Sequence, residues 1–298
     1  MRIDVYIPPA LSVLLSVISP AVGRRVAPAP AARVLTAAAV GSAGATVWSL
    51  ALLALTLAGD APAFLARSGG DGRRLPEPVP EVIGVLACLA LVAVGIRLGR
   101  AVRGEFGTRR ALRRLCAGHP GETELIVAAS PVPRAFAIPG SPGRILVTAA
   151  MLGALRPQER RVLLAHERAH LTHRHARLVT AVTLAVAADP LLGRVRPTVA
   201  FLVERWADER AAAAVGDRTA TARALARAAL TAGRAAGPAG TLPLTDRAVT
   251  RRIAALRSAP PPPLWPVAAA VLALGALPVL GAADATDDLL RLLPLGLA

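Results

Sequence analysis

Long runs of apolar residues alternate along this chain with arginine-bearing segments, and the pattern predicts membrane-spanning helices first. Residues 5–22, VYIPPALSVLLSVISPAV, are uncharged and long enough to cross a bilayer, since a helix rises about 1.5 Å per residue against a core of about 30 Å. A signal peptide is the competing reading. Its basic n-region and small-residue cleavage pattern are poor here, so a retained helix is expected. Residues 34–58 carry no charge, and the run 82–96 ends against Arg97, which sets a third span at 82–98. A fourth, 264–282, is entered through the proline run APPPPL and closed by Asp284.

Between 100 and 262 the pattern becomes that of a folded domain. Residues 100–117 predict a basic juxtamembrane helix. ELIVAAS and RAFAIPGSPGRILVT predict strands joined by a Pro/Gly turn. A long helix is expected to begin at Pro157 to Glu159, where proline suits the first turn and acids complement the helix dipole. The apolar segment 178–193, interrupted by Asp189 and Pro190, is short for a span and reads as a buried continuation of that helix against the membrane. The expected fold is mainly α with a small β-sheet. Residues 1–99 hold three spans, 100–262 the folded domain, and 263–298 the fourth span and a short tail.

Arginine in short loops sets the orientation, because positive residues stay on the cytoplasmic side. The first loop carries Arg24, Arg25 and Arg33; the second, 59–81, mixes Asp60, Asp71, Glu77 and Glu81 with Arg67, Arg73 and Arg74. Seven arginines follow the third span, from Arg97 to Arg114, opposed by Glu105 alone. The domain is therefore expected in the cytoplasm, with both termini outside the cell membrane. The acidic C-terminal tail agrees. Hydrophobic residues make up 54% of the chain and the mean hydropathy is +0.52, which fits a multi-pass protein embedded in lipid. A net charge of +16 raises nucleic acid as a partner, but one Tyr, four Phe and no basic-aromatic interleaving argue against direct binding. Cys88 and Cys116 lie in unlike surroundings, so neither a disulfide framework nor a cysteine metal site follows.

Four of the five histidines fall within VLLAHERAHLTHRHARL, residues 162–178. His166 and His170 are four apart, which on a helix places two imidazoles one turn from each other on one face, able to share one zinc ion. Glu167 stands beside the first ligand, where a carboxylate takes the proton from a water whose pKa zinc has lowered to about 7. This is the H-E-x-x-H arrangement of zinc hydrolases. The third ligand is not at position 176, which is Ala. Glu204, in FLVERWADERAAAAVG, is the better candidate. Asp208, one turn on, is placed to accept from a histidine's non-ligating nitrogen. Three protein ligands with an open fourth position make such a site catalytic. The plain alternative is a solvated helix face. His173 and His175 read as polar helix surface, and His119, in the AGHPGE turn, as a loop residue.

VLLAHERAHLTHRH, preceded by PRAFAIPGSPGRILVTAAMLGALRPQER and followed by ERWADE, resembles the membrane-bound gluzincin peptidases over about residues 124–215. The resemblance implies that His166, His170 and Glu204 hold one zinc per chain, that Asp208 orients a ligand, and that Glu167 is the catalytic base. It also implies that the strand Ala135, Phe136, Ala137 pairs with an extended substrate. Three spans before the domain and one after resemble the BlaR/MecR-type antirepressor peptidases, whose cytoplasmic zinc domain cleaves a transcriptional repressor. The alternative is the CAAX prenyl endopeptidase and heat-shock membrane protease family, which TDRAVTRRIAAL resembles through Arg252 and Ile253. The His-Pro usual before that pair is missing, and that family places extra spans between the zinc motif and the third ligand. Arg252 would support Asp208 or the oxyanion. Residues 283–298 follow the fourth span in this reading, so an extracellular penicillin-binding sensor is not expected. The expected function is a membrane zinc endopeptidase acting on a cytoplasmic protein, such as a repressor in a signalling response. The alternatives are a quality-control protease of the CAAX type and a non-catalytic signalling scaffold with structural zinc.

Overall fold

A computed structural model of the chain describes residues 7–59, 80–120, 123–235, 242–259, 262 and 264–292. Helix α1 is Ile7–Arg25, with Pro8 and Pro9 in its first turn, where a missing N–H leaves no bond unmade. Helix α2 is Pro28–Gly59. Helix α3, Glu81–Leu115, starts on an acid and ends on Arg113 and Arg114, so charges of the right sign meet both ends of its dipole. The third span and the basic juxtamembrane helix, expected as separate elements, are thus one helix of 35 residues, and the boundary expected at 99/100 falls inside it. Nothing in its sequence breaks it: the apolar half passes into Arg, Ala and Leu, all good helix formers.

Ile7–Arg25, Pro28–Leu55 and Glu81–Leu115 are long and apolar enough to cross a membrane. The residues of the fourth expected span lie on α10, Trp265–Leu292, whose apolar stretch among the described residues, Trp265–Leu277, runs about 20 Å at 1.5 Å per residue, so α10 is not counted with those three. Helix α10 lies along α2 with very small residues at the contact: a Cβ on Gly275 would stand 2.5 Å from the Ala38 Cα. Most of the expected second loop, 60–79, and the end of the acidic tail, 293–298, lie outside the described residues.

Strands β1 (Leu125–Ala128), β2 (Ala135–Ile138) and β3 (Arg144–Thr148) form one sheet in the order β1-β3-β2, with β1 parallel and β2 antiparallel to β3. Central β3 buries Ile145, Leu146 and Val147, while β2 is an edge. The Thr148 side chain accepts from Met151 N–H and so starts the short α4, Ala149–Ala154. Helix α5, Pro157–Thr172, begins where the sequence predicts: Pro157 opens it, and Glu159 accepts from the Arg156 N–H at 2.8 Å.

The apolar segment after it is not a continuation. The chain breaks at His173 and turns through Arg174, whose φ of 53° is left-handed, before α6, His175–Ala188. A 3₁₀ turn at Pro190–Leu192 then leads into α7, Val195–Val215. Helix α6 and the first half of α7 form a hairpin packed into α1 and α2, sharing one core in which Leu15, Leu35, Val182, Leu192, Val199 and Leu202 are all buried. Buried Asp189 pins its tip, accepting from Ser12 Oγ at 2.6 Å, Thr46 Oγ1 at 2.9 Å and Leu191 N–H at 3.0 Å. From α3, Arg97 donates to the Ala187 and Val186 carbonyls at the C-terminus of α6. Helix α7 ends at Gly216, in the left-handed conformation that favours glycine. Helices α8, Arg218–Ala235, and α9, Leu242–Arg257, pack together and against α7.

Candidate metal centre

The α5 turn presents His166 and His170 on one face with their Nε2 atoms 3.1 Å apart. Helix α7 crosses α5 and brings in Glu204, whose carboxylate oxygens lie 3.5 Å from His166 Nε2 and 3.6 Å from His170 Nε2. A tetrahedral zinc with ligands at about 2.0–2.1 Å needs donor atoms about 3.3 Å apart, so this triangle fits the ion to within a few tenths of an ångström. One ligand atom from each residue lies within 4.8 Å of the other two. The donor set, two imidazoles and a carboxylate, is also one that zinc takes.

Asp208, buried one turn after Glu204, lies with Oδ1 3.0 Å from His166 Nδ1. Donation from that nitrogen leaves the Nε2 lone pair for a metal. Arg252 of α9 closes the arrangement from above: Nε and Nη2 donate to the two Asp208 oxygens at 2.7 and 2.8 Å, and Nη1 lies 2.9 Å from Glu204 Oε2. Arg218 holds α9 in place. Its guanidinium pairs with Glu209 of α7 and donates to the Leu256, Ala255 and Ser258 carbonyls at the end of α9.

The electrostatics suit a cation. Burial works against a charge on His166, but bonds to Asp208 and Glu204 outweigh it and raise the imidazole to about 10. The same carboxylates that favour a proton there favour any cation at that point. Burial and the neighbouring His166 push His170 down to about 4, so one positive charge is stable between the two rings and a second is not. Burial opposes ionisation of Glu204, yet His166 and Arg252 hold its carboxyl well below the usual range. Its side chain is 39% exposed, so solvent weakens those pairings. Glu167 goes the other way: burial raises its carboxyl, against the charge on His166, and the Ala137 N–H donates to it.

That donation follows from the sheet. Thr148 N–H bonds the Arg134 carbonyl at 2.9 Å, and antiparallel pairing alternates, so Phe136 faces β3 while Ala135 and Ala137 turn their backbone groups to the open edge. The expected substrate strand therefore borders the site along its free edge. A cavity of about 840 Å³ runs between this edge and His166, Glu167, His170 and Glu204.

Two residues depart from expectation. His175 is not helix surface: it is 1% exposed, with Nδ1 3.1 Å from His170 Nδ1 and its ring against Trp206. Sequence spacing hid it, because on a continuous helix it would point away from His170. His173 is half-buried, stacks on Trp206 and accepts from Arg210 Nε at 3.0 Å. His119 lies in the expected turn after α3.

No curated protein and no solved structure shows a significant match to the chain. Residues 108–201 match the model of peptidase family M48, a stretch that holds the sheet and the His166, Glu167 and His170 helix and stops short of Glu204. Over that stretch the chain is similar to the M48 metallopeptidases, a likeness that does not single out the BlaR/MecR type.

Proposed function

We propose that this chain is an integral membrane zinc endopeptidase in which His166, His170 and Glu204 hold one zinc ion and Glu167 is the general base. The observation that carries the reading is the convergence of three ligand atoms from two helices beside a buried carboxylate and an open strand edge. Bound zinc supplies Lewis acidity toward water and a scissile carbonyl. Glu167 takes the proton from the attacking water and delivers it to the leaving nitrogen, a task suited by its raised pKa. Asp208 keeps His166 in the ligating tautomer, and Arg252 holds Asp208 and Glu204 in place. The backbone groups of Ala135 and the carbonyl of Ala137 are offered to an extended peptide by strand addition, while the Ala137 N–H holds Glu167.

The site faces the cytoplasmic side of the cell membrane in this reading, and the chain's ends face outward. Arg33, in the second turn of α2 just after its junction with α1, lies over the Trp206 ring at 4.5 Å, which supports placing that junction and the peptidase domain at one end of the bundle. A cytoplasmic protein, such as a repressor, is the proposed substrate. A quality-control protease is the second reading. The apolar hairpin of α6 and α7, inserted between the zinc motif and Glu204, favours it.

Replacing Glu167 by Gln in the purified full-length protein should leave zinc bound and reduce peptide hydrolysis by about 10²-fold or more. Undiminished hydrolysis removes Glu167 from the mechanism.

A further inference from the structure

The two ends of the cleft differ in chemistry. Beside the Ala137 to Gly143 end of β2, four arginines line the 840 Å³ cavity: Arg109 and Arg113 from α3, and Arg174 and Arg177 from the turn into α6. All four are exposed, and the carboxylates among the described lining residues are Glu167 and Glu204, both engaged in the metal centre. Beside the Pro133 to Phe136 end, a second cavity of about 630 Å³ also reaches His166 and Glu167. Its wall is largely apolar, with Met151, Leu163, Ala224, Leu225, Ala228 and Val249; its buried arginine, Arg252, is already paired with Asp208 and Glu204, and a single exposed arginine, Arg134, also lines it.

An extended peptide that pairs antiparallel with β2 runs from the arginine end to the apolar end. We propose, on the peptidase reading above, that the cleft selects peptides with acidic side chains before the scissile bond and a large apolar side chain directly after it. Four guanidinium groups at one mouth focus a positive potential that attracts and orients carboxylates. The apolar chamber removes a Leu, Met or Phe side chain from water, which favours a large apolar residue there over a polar one. Together they fix direction as well as sequence: a reversed peptide would put its acid in the apolar chamber.

The test uses zinc-loaded full-length protein in detergent, a random-sequence peptide library, and mass spectrometry of the cut sites. Asp and Glu are expected in the positions before the cut and Leu, Met, Phe or Val immediately after it. The double variant Arg174→Glu, Arg177→Glu should lower the kcat/KM ratio of an acidic over a neutral peptide by about tenfold, with zinc content measured alongside. A cut pattern without acidic preference, one with the acids after the cut, or a preference that survives the charge reversal overturns this inference and leaves the peptidase standing. If the charge reversal instead abolishes binding to phosphatidylglycerol vesicles while peptide preference persists, the arginines read lipid headgroups and the inference fails. No cleavage of any peptide by the zinc-loaded protein overturns the peptidase reading and this inference with it.

Discussion

His175 shows how one backbone angle changes a residue's role. At about 100° per residue a continuous helix would set it some 140° round from His170. The left-handed turn at Arg174 instead folds it back beneath that ring. If His170 turns Nε2 to a metal, its Nδ1–H donates to His175 Nδ1, and the proton of His175 then sits on Nε2, which is buried without a partner among the described residues. Replacing His175 by Leu should weaken zinc binding about 10- to 100-fold, read by competition with a chelator; unchanged affinity would reduce the contact to packing. Asp208 makes a pH prediction. Burial opposes its ionisation, but Arg252 and His166 hold its carboxyl below the ordinary range. An unfolded Asp takes up a proton near pH about 3.9 while the folded chain resists, so this stabilisation is full above about pH 4 and is lost as pH falls through the depressed value. Asp208→Asn should therefore lower thermal stability at neutral pH and narrow its difference from wild type in acid. The pairs His166/His170 and Glu204/Asp208 were legible from the sequence because each lies one helical turn apart. Arg252 was legible only as a candidate, since nothing local says which helix face α9 turns to α7.

At the scale of elements, the metal centre depends on a hairpin rooted in the membrane bundle. Glu204 and Asp208 lie on the half of α7 that leaves the bundle, and His175 opens the half that enters it. Asp189 fixes the tip through Ser12 of α1 and Thr46 of α2. Asp189→Ala should lower the melting temperature in detergent, because it removes the buried acceptor shared by Ser12 Oγ, Thr46 Oγ1 and the Leu191 N–H, at about 0.5–1.5 kcal/mol per bond lost. The interface of α2 and α10 makes a paired prediction. A side chain at Gly275 meets Ala38, whereas one at Gly44 meets nothing within 4 Å. Gly275→Val should destabilise the fold while Gly44→Ala is tolerated; equal melting temperatures would show that α10 does not pack there. The sequence marked 178–193 as apolar and buried, yet not as a separate helix, because a break at His173 and Arg174 carries no Gly or Pro signal. The sheet was legible to within a residue or two, through its alternation and its Pro/Gly turn.

On the scale of the whole molecule, hydropathy located three helices long and apolar enough to cross a membrane, and the fourth expected span falls on α10. It also could not show that α3 runs unbroken from a span into the wall of the cleft, where its arginines Arg109 and Arg113 stand. The candidate metal centre is thereby coupled to the bundle twice, through α3 and through the hairpin. The account rests on the ligand triangle, and zinc content per chain tests that most directly, in detergent-purified full-length protein, wild type against Glu204→Ala. One zinc per chain in wild type and its loss after chelator challenge in the variant is the predicted result. A variant that keeps zinc as tightly as wild type, or folded wild type that takes up none, would contradict it.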